Sequence, residues 1–378
     1  VTTTLENLYD RCGQSPWIDN LKRAYITSGR LAELIGEGIR GLTSNPTIMA
    51  KAIEDAPDYD EQFVASMKLH HDVVPVYWDL VVSDVSDALE LFSPLYEESD
   101  RGDGYVSIEV APALARDTAG TISAARDLHT RIDKPNVLVK IPATEEGLPA
   151  IRRMISEGRS INVTLIFSIE RYEEVIEAYQ SGLEELVAGG GDPSAVASVA
   201  SFFVSRVDTE PDRRLEAIAA ADGGSERAER ALALRGKTAV AQARLAYERF
   251  ERRFAGPRWE ALAARGARVQ RPLWASTSTK NPAYPDLAYV NTLIAPHTVN
   301  TMPEETVGKF LDHGVVSPMG AGDLAEANRL LDDLAGVGID LEDVARVLED
   351  EGVASFAKSF DELIERLEHK AAQLTSPS

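Results

Sequence analysis

The sequence predicts an α/β fold, a (β/α)8 TIM barrel, on three observations. Short apolar segments alternate with longer amphipathic ones, eight times along the chain. Polar residues that look out of place, Asp19, Asn45, Glu109, Lys140, Thr164 and Ser201, fall at the C-terminal ends of successive apolar segments. Barrel enzymes carry their chemistry at that end. The third observation is the stretch 136–144, where three apolar residues, Val137 to Val139, run into Lys140, and Ile141 and Pro142 close the run. Bounded by prolines on both sides, it reads as a buried parallel strand.

The elements follow in order. Residues 14–21 hold a short apolar run interrupted by Asp19. Residues 27–36 are amphipathic through Leu31, Leu34 and Ile35 and read as a helix. Residues 38–44 are strand-like, and Asn45-Pro46 then opens a helix, with asparagine as N-cap and proline at the first helical position. Residues 59–99 are helical, and 105–110 form the next strand. A helix to 131 leads into the lysine strand, after which Thr144 caps a helix with Leu148, Ile151, Met154 and Ile155 on one face. Residues 161–167 are a fifth strand, and Ser168 caps the helix that follows. The sixth strand is 199–204, the seventh 268–276, and the eighth lies near 298–302. Between the sixth and seventh, residues 213–265 turn to Ala, Arg and Glu, a helical insertion broken at Asp222-Gly223-Gly224 and Gly256-Pro257. Residues 324–334, 341–350 and 354–374 are helical, the last a C-terminal helix against the barrel. No repeat, low-complexity segment or linker divides the chain, so 1–378 reads as one domain.

Composition narrows the function. Hydrophobic content of 44% and charged content of 26% are those of a globular protein. With 39 Lys and Arg against 61 Asp and Glu, the net charge is −22, which argues against nucleic-acid and anionic-membrane partners. An anionic substrate therefore needs a local basic pocket. Cys12 is the only cysteine, so no intrachain disulfide forms. Val1 to Glu6 do not read as a signal peptide, and no apolar run nears the ~20 residues of a membrane span. A cytoplasmic location is expected. The six histidines show no metal-ligand spacing, so no metal is expected.

Burial disfavours an ammonium, and an amine held in a buried strand is suited to imine formation with a carbonyl substrate. A strand-end lysine can equally snorkel out to a surface acid, and the stretch alone leaves both readings open. From the residues alone, Glu109 can be its ion-pair partner and Asp19 a capping residue in a loop.

Five segments in register carry a resemblance: Gly41 to Thr47, Val106 to Val110, Val137 to Pro142, Asn162 to Ser168 and Ser201 to Arg206. In order and spacing, from Asp19 through the segment Trp274 to Pro282, the chain resembles the transaldolases. The resemblance implies a class I Schiff-base enzyme of the non-oxidative pentose phosphate pathway that uses no organic cofactor or metal. Lys140 then corresponds to the imine-forming lysine. Glu109 matches the glutamate that activates a water near the imine, Thr164 helps to hold that water, and Asp19 matches the acid/base of carbon–carbon cleavage. Asn45, Asn162 and Ser201 match positions that bind substrate hydroxyls or orient the imine. Arg206 matches a phosphate-binding arginine and Phe203 an aromatic wall, although core packing explains Phe203 as well.

One departure stands out. Many members carry an arginine soon after the serine matching Ser276, whereas this chain has Ser278 there and Lys280 further on. That feature and the long 213–265 segment resemble the longer actinobacterial-type branch. The implied substrates are sugar phosphates: a dihydroxyacetone unit passes from sedoheptulose 7-phosphate to glyceraldehyde 3-phosphate. Two alternatives stand beside this: a fructose 6-phosphate aldolase-type enzyme that releases dihydroxyacetone, and a catalytically silent phosphosugar-binding barrel. Oligomeric state is not legible.

Overall fold

Eight parallel strands pair in sequence order, and the last returns to the first to close a barrel. They are β1 (Gln14–Asp19), β2 (Gly41–Thr43), β3 (Tyr105–Glu109), β4 (Val137–Pro142), β5 (Ile161–Ile166), β6 (Ser198–Phe203), β7 (Arg271–Ala275) and β8 (Thr298–Met302). The computed structural model describes residues 2–53, 56–320 and 322–375. Val1 of the N-terminal stretch read above lies outside the described residues.

The strands are buried along their length because helices cover the outside and side chains fill the inside. Inside, Trp17 lies across Gly41, where a Cβ would stand 2.4 Å from the indole ring. The interior is thus plugged with side chains, as barrels of this size are. The expected caps form at Asn45, whose Oδ1 accepts from Ile48 N at 2.9 Å, and at Ser168, whose Oγ accepts from Arg171 N at 3.1 Å, whereas Thr144 Oγ1 accepts from Gly147 N at 3.0 Å in the turn before a helix whose N-cap is Glu146.

Several boundaries differ from the sequence reading. β2 and β7, at Gly41–Thr43 and Arg271–Ala275, are shorter than the expected 38–44 and 268–276. The helix expected over 27–36 is two, Arg23–Thr27 and Arg30–Gly36, separated at Gly29 with φ 85°. After β6 the chain forms helices Ser205–Ala221, Glu226–Ala233, Thr238–Arg253 and Pro257–Ala263, so helix begins directly at the strand end. The helices expected at 341–350 and 354–374 are one, Leu341–Thr375. Glycine costs about 1 kcal/mol within a helix, and this one is kept because Gly352 is buried where its missing side chain is needed. A Cβ there would be 3.1 Å from Leu165 Cδ2, so the helix lies directly on the end of β5. It continues past Thr47, whose hydroxyl bonds Ser359 at 2.9 Å, and past Tyr77, whose ring meets Phe360 edge-on at 5.2 Å. The C-terminal helix therefore runs along the C-terminal face of the barrel.

Candidate active site

The strand register builds the site. Asp19 is level with Thr43, and Thr43 with Ser107; Glu109 is level with Lys140, and Lys140 with Asn162. Side chains two apart on a strand share a face, so Ser107 and Glu109, like Asn162 and Thr164, can all face the barrel interior. The cross-strand bonds agree. Asn162 donates to Ser107 Oγ at 3.0 Å, and Ser201 Oγ donates to Asn162 Oδ1 at 2.7 Å.

Lys140 lies within β4 rather than at its tip, with a side chain only 6% exposed. That burial excludes the snorkelling reading. Its ammonium donates to the carbonyl of Ser44 at 3.0 Å and lies 3.2 Å from Glu109 Oε2. This oxygen otherwise receives no hydrogen bond of good geometry, and Thr164 Oγ1, also buried, has no partner. Burial raises Glu109 above the ordinary carboxylate range, opposed by Lys140 and reinforced by the charge of Asp19. Burial likewise raises Asp19, opposed by a hydrogen bond from Thr43 Oγ1 (2.7 Å) and by the charges of Lys140 and Lys280. Thr43 Oγ1 is in turn 2.6 Å from Thr301 Oγ1, so Asp19 is positioned from β2 and β8. Two carboxyls and one amine thus share a confined space.

Towards the mouth, β5 carries a register irregularity between Val163 and Ile166, with Leu165 at φ 59°. A leucine in the left-handed region is uncommon, and this one turns the strand immediately after Thr164. Ser276, at φ 58°, pairs its hydroxyl with Ser205 at 2.9 Å across the ends of β7 and β6. Arg206 follows in the helix from Ser205, its guanidinium 5.5 Å from the Phe203 ring, which also meets Phe167 at 5.1 Å. Burial lowers the Arg206 pKa, and Glu351 on the C-terminal helix is the charge that opposes this. Arg206 has no hydrogen bond or ion pair among the described residues. It lines a cavity of about 640 Å³ together with Lys280, Glu351 and Ser355. Lys280 is exposed and bonds Ser278 Oγ at 2.9 Å. Asn45 is half-buried beside the Ser44 carbonyl that holds Lys140. Among the described residues, no group of three or more His, Cys, Asp or Glu could hold a metal ion.

A carbonyl compound entering here meets a primary amine, two carboxyls with raised pKa, an unpartnered hydroxyl and, further out, an unpaired guanidinium. A profile of the Transaldolase/Fructose-6-phosphate aldolase family matches residues 16–367. The chain belongs to this family of enzymes. Relatives named transaldolase include one from Saccharopolyspora erythraea, 50% identical over 98% of both chains. Others come from Acidothermus cellulolyticus, 51% identical over 93% of this chain and 92% of the relative, and from Thermobifida fusca, 48% identical over 98% and 99%.

All eleven residues singled out by sequence lie on this face, in two groups. Glu109, Lys140, Asn162, Thr164 and Ser201 form a buried inner group, with the half-buried Asp19 and Asn45 at its edge, and Phe203, Arg206, Ser276 and Lys280 form an outer one. The sequence reading missed Thr43, Thr301 and Ser107, which hold inner-group side chains. Ser107, two residues before Glu109, was open to discovery from strand alternation alone. Glu351 and Ser355 carried no signal, because nothing local says that the C-terminal helix reaches this face.

Proposed function

We propose that this protein is a transaldolase acting through a Schiff base on Lys140. The observation that carries the reading is the buried Lys140 ammonium beside Glu109, with Asp19 in the same electrostatic field. The amine attacks C2 of a ketose phosphate, and the carbinolamine loses water to give the imine. Glu109 and Thr164, each with an unsatisfied oxygen, hold and protonate that leaving water. Asp19 takes the proton of the C4 hydroxyl as the C3–C4 bond breaks, and the electron pair passes into the imine. The donor-derived aldehyde departs, an acceptor aldehyde adds to the bound three-carbon unit, and hydrolysis frees Lys140.

Asn45, Asn162 and Ser201 hold the sugar hydroxyls, Phe203 and Ser276 shape the channel, and Arg206 and Lys280 bind the phosphate. Sedoheptulose 7-phosphate as donor and glyceraldehyde 3-phosphate as acceptor place the reaction in the non-oxidative pentose phosphate pathway. A cytoplasmic location fits such substrates, and no described helix is long and apolar enough to cross a membrane. The whole chain acts as one barrel domain, with 213–265 as a helical elaboration.

The test is borohydride reduction with fructose 6-phosphate, followed by peptide mapping. A dihydroxyacetone-derived adduct on Lys140 is expected, and an adduct on Lys280 overturns the assignment. Product analysis with erythrose 4-phosphate then separates transfer, which yields sedoheptulose 7-phosphate, from release of free dihydroxyacetone.

A further inference from the structure

The opposite end of the barrel holds a larger cavity, about 820 Å³, that the proposed reaction does not use. It opens among the N-terminal ends of the strands, beside Gly13, Tyr105, Ser198 and His297. Four arginines line it, Arg11, Arg101, Arg268 and Arg271, against two carboxylates, Asp10 and Asp103. Asp103 is buried and already engaged: Arg40 and Arg271 reach it at 2.7 and 3.0 Å, and Ser15 at 2.8 Å. Arg268 meets Asp100 at 3.5 Å, but that carboxylate is 95% exposed, and such rim pairs are weak. Arg11 and Arg101 make no ion pair among the described residues. Asp10 is exposed at the rim.

An acidic chain of net charge −22 thus concentrates uncompensated guanidinium groups in one concave place. Guanidinium forks suit phosphate oxygens bidentately. The lining also includes apolar Leu138, Val199, Val269 and Pro296. We infer that the cavity at the N-terminal end of the barrel is a binding site for small phosphate-bearing anions, separate from the catalytic face. It has a route to the chemistry, since Leu138 lies two residues before Lys140 on β4. Occupancy is therefore expected to alter turnover.

The test is calorimetric titration of the whole protein with pyrophosphate, and in parallel with adenosine 5′-monophosphate. Tighter binding of the nucleotide identifies phosphate esters as the source, and tighter binding of pyrophosphate identifies the free anion. The Arg101→Gln/Arg268→Gln variant changes rim side chains only, and its fold is checked by its melting temperature without ligand. It is expected to weaken binding about tenfold or more while Arg206→Ala leaves it intact. Raising salt should also weaken it. No binding to the wild type overturns the inference. So does binding that survives in Arg101→Gln/Arg268→Gln but is lost in Arg206→Ala, because the anion then sits at the catalytic face.

Discussion

The two ends of one barrel treat a buried carboxylate in opposite ways. At the N-terminal end, Asp103 is 1% exposed, paired with two guanidinium groups and approached by Ser15 and by the Trp17 indole at 3.4 Å. At the C-terminal end, Glu109 is similarly buried but has only Lys140 as ion-pair partner among the described residues, with the charge of Asp19 opposing its ionisation, and the buried Thr164 hydroxyl has no partner among them. A saturated charge network stabilises its own arrangement and resists change. An under-saturated one is available to water and substrate, and burial raises the pKa of its carboxyls. The same strands therefore supply a rigid floor and a reactive mouth.

The largest expected effect tests the mouth. Lys140→Met should abolish both turnover and borohydride trapping while keeping the far-ultraviolet circular dichroism of the wild type. Residual trapping in that variant would mean that a different amine carries the chemistry.

Asp19 should separate two steps. Asp19→Ala is expected to form the reducible imine yet lose about 10²–10⁴-fold in turnover, measured by coupled assay beside trapping. Because burial raises both Asp19 and Glu109, the base form of Asp19 is lost as pH falls, beginning above the ordinary carboxylate pKa of about 4. The acid limb of kcat/KM should accordingly lie above that value, and Asp19→Asn should flatten it.

The floor should fail differently. Asp103→Ala leaves Arg40 and Arg271 without their carboxylate, a change that typically costs about 3–5 kcal/mol. Urea melts should show that loss, while the protein that remains folded still forms the adduct at Lys140. Loss of trapping without loss of stability would break the contrast between the two ends.

Smaller effects belong to the phosphate. Arg206→Ala should raise KM for phosphorylated substrates by a factor matching about 1.5–3 kcal/mol, and Lys280→Ala by less, with dihydroxyacetone unaffected in both. Equal losses on charged and uncharged substrates would assign these cations to folding. The smallest shift is opposite in sign: Glu351→Gln removes the carboxylate that faces Arg206 and should lower that KM up to about fivefold, most visibly at low salt.

Strand order, the barrel and the caps at Asn45 and Ser168 were legible in the sequence because they rest on local periodicity and side-chain chemistry. The inner group was legible too. A lysine, a glutamate and a threonine in apolar strands violate local expectation, and that violation is itself the signal. The family resemblance supplied roles for them that spacing alone left open.

What only the tertiary structure decided are relations between segments far apart in the chain. Lys140 took its partners from β3 and from the Ser44 carbonyl, Asp19 is held by Thr43, which Thr301 of β8 meets in turn, and Glu351 reached Arg206 from the C-terminal helix. Gly352, a break by local propensity, continued the helix because close packing on Leu165 outweighed its intrinsic cost. The arginines of the floor, from positions 11 to 271, formed one cavity only because barrel closure brings β8 beside β1. Sequence fixes which groups are present and how each segment folds; closure of the barrel decides which charges meet, and how completely each is paired.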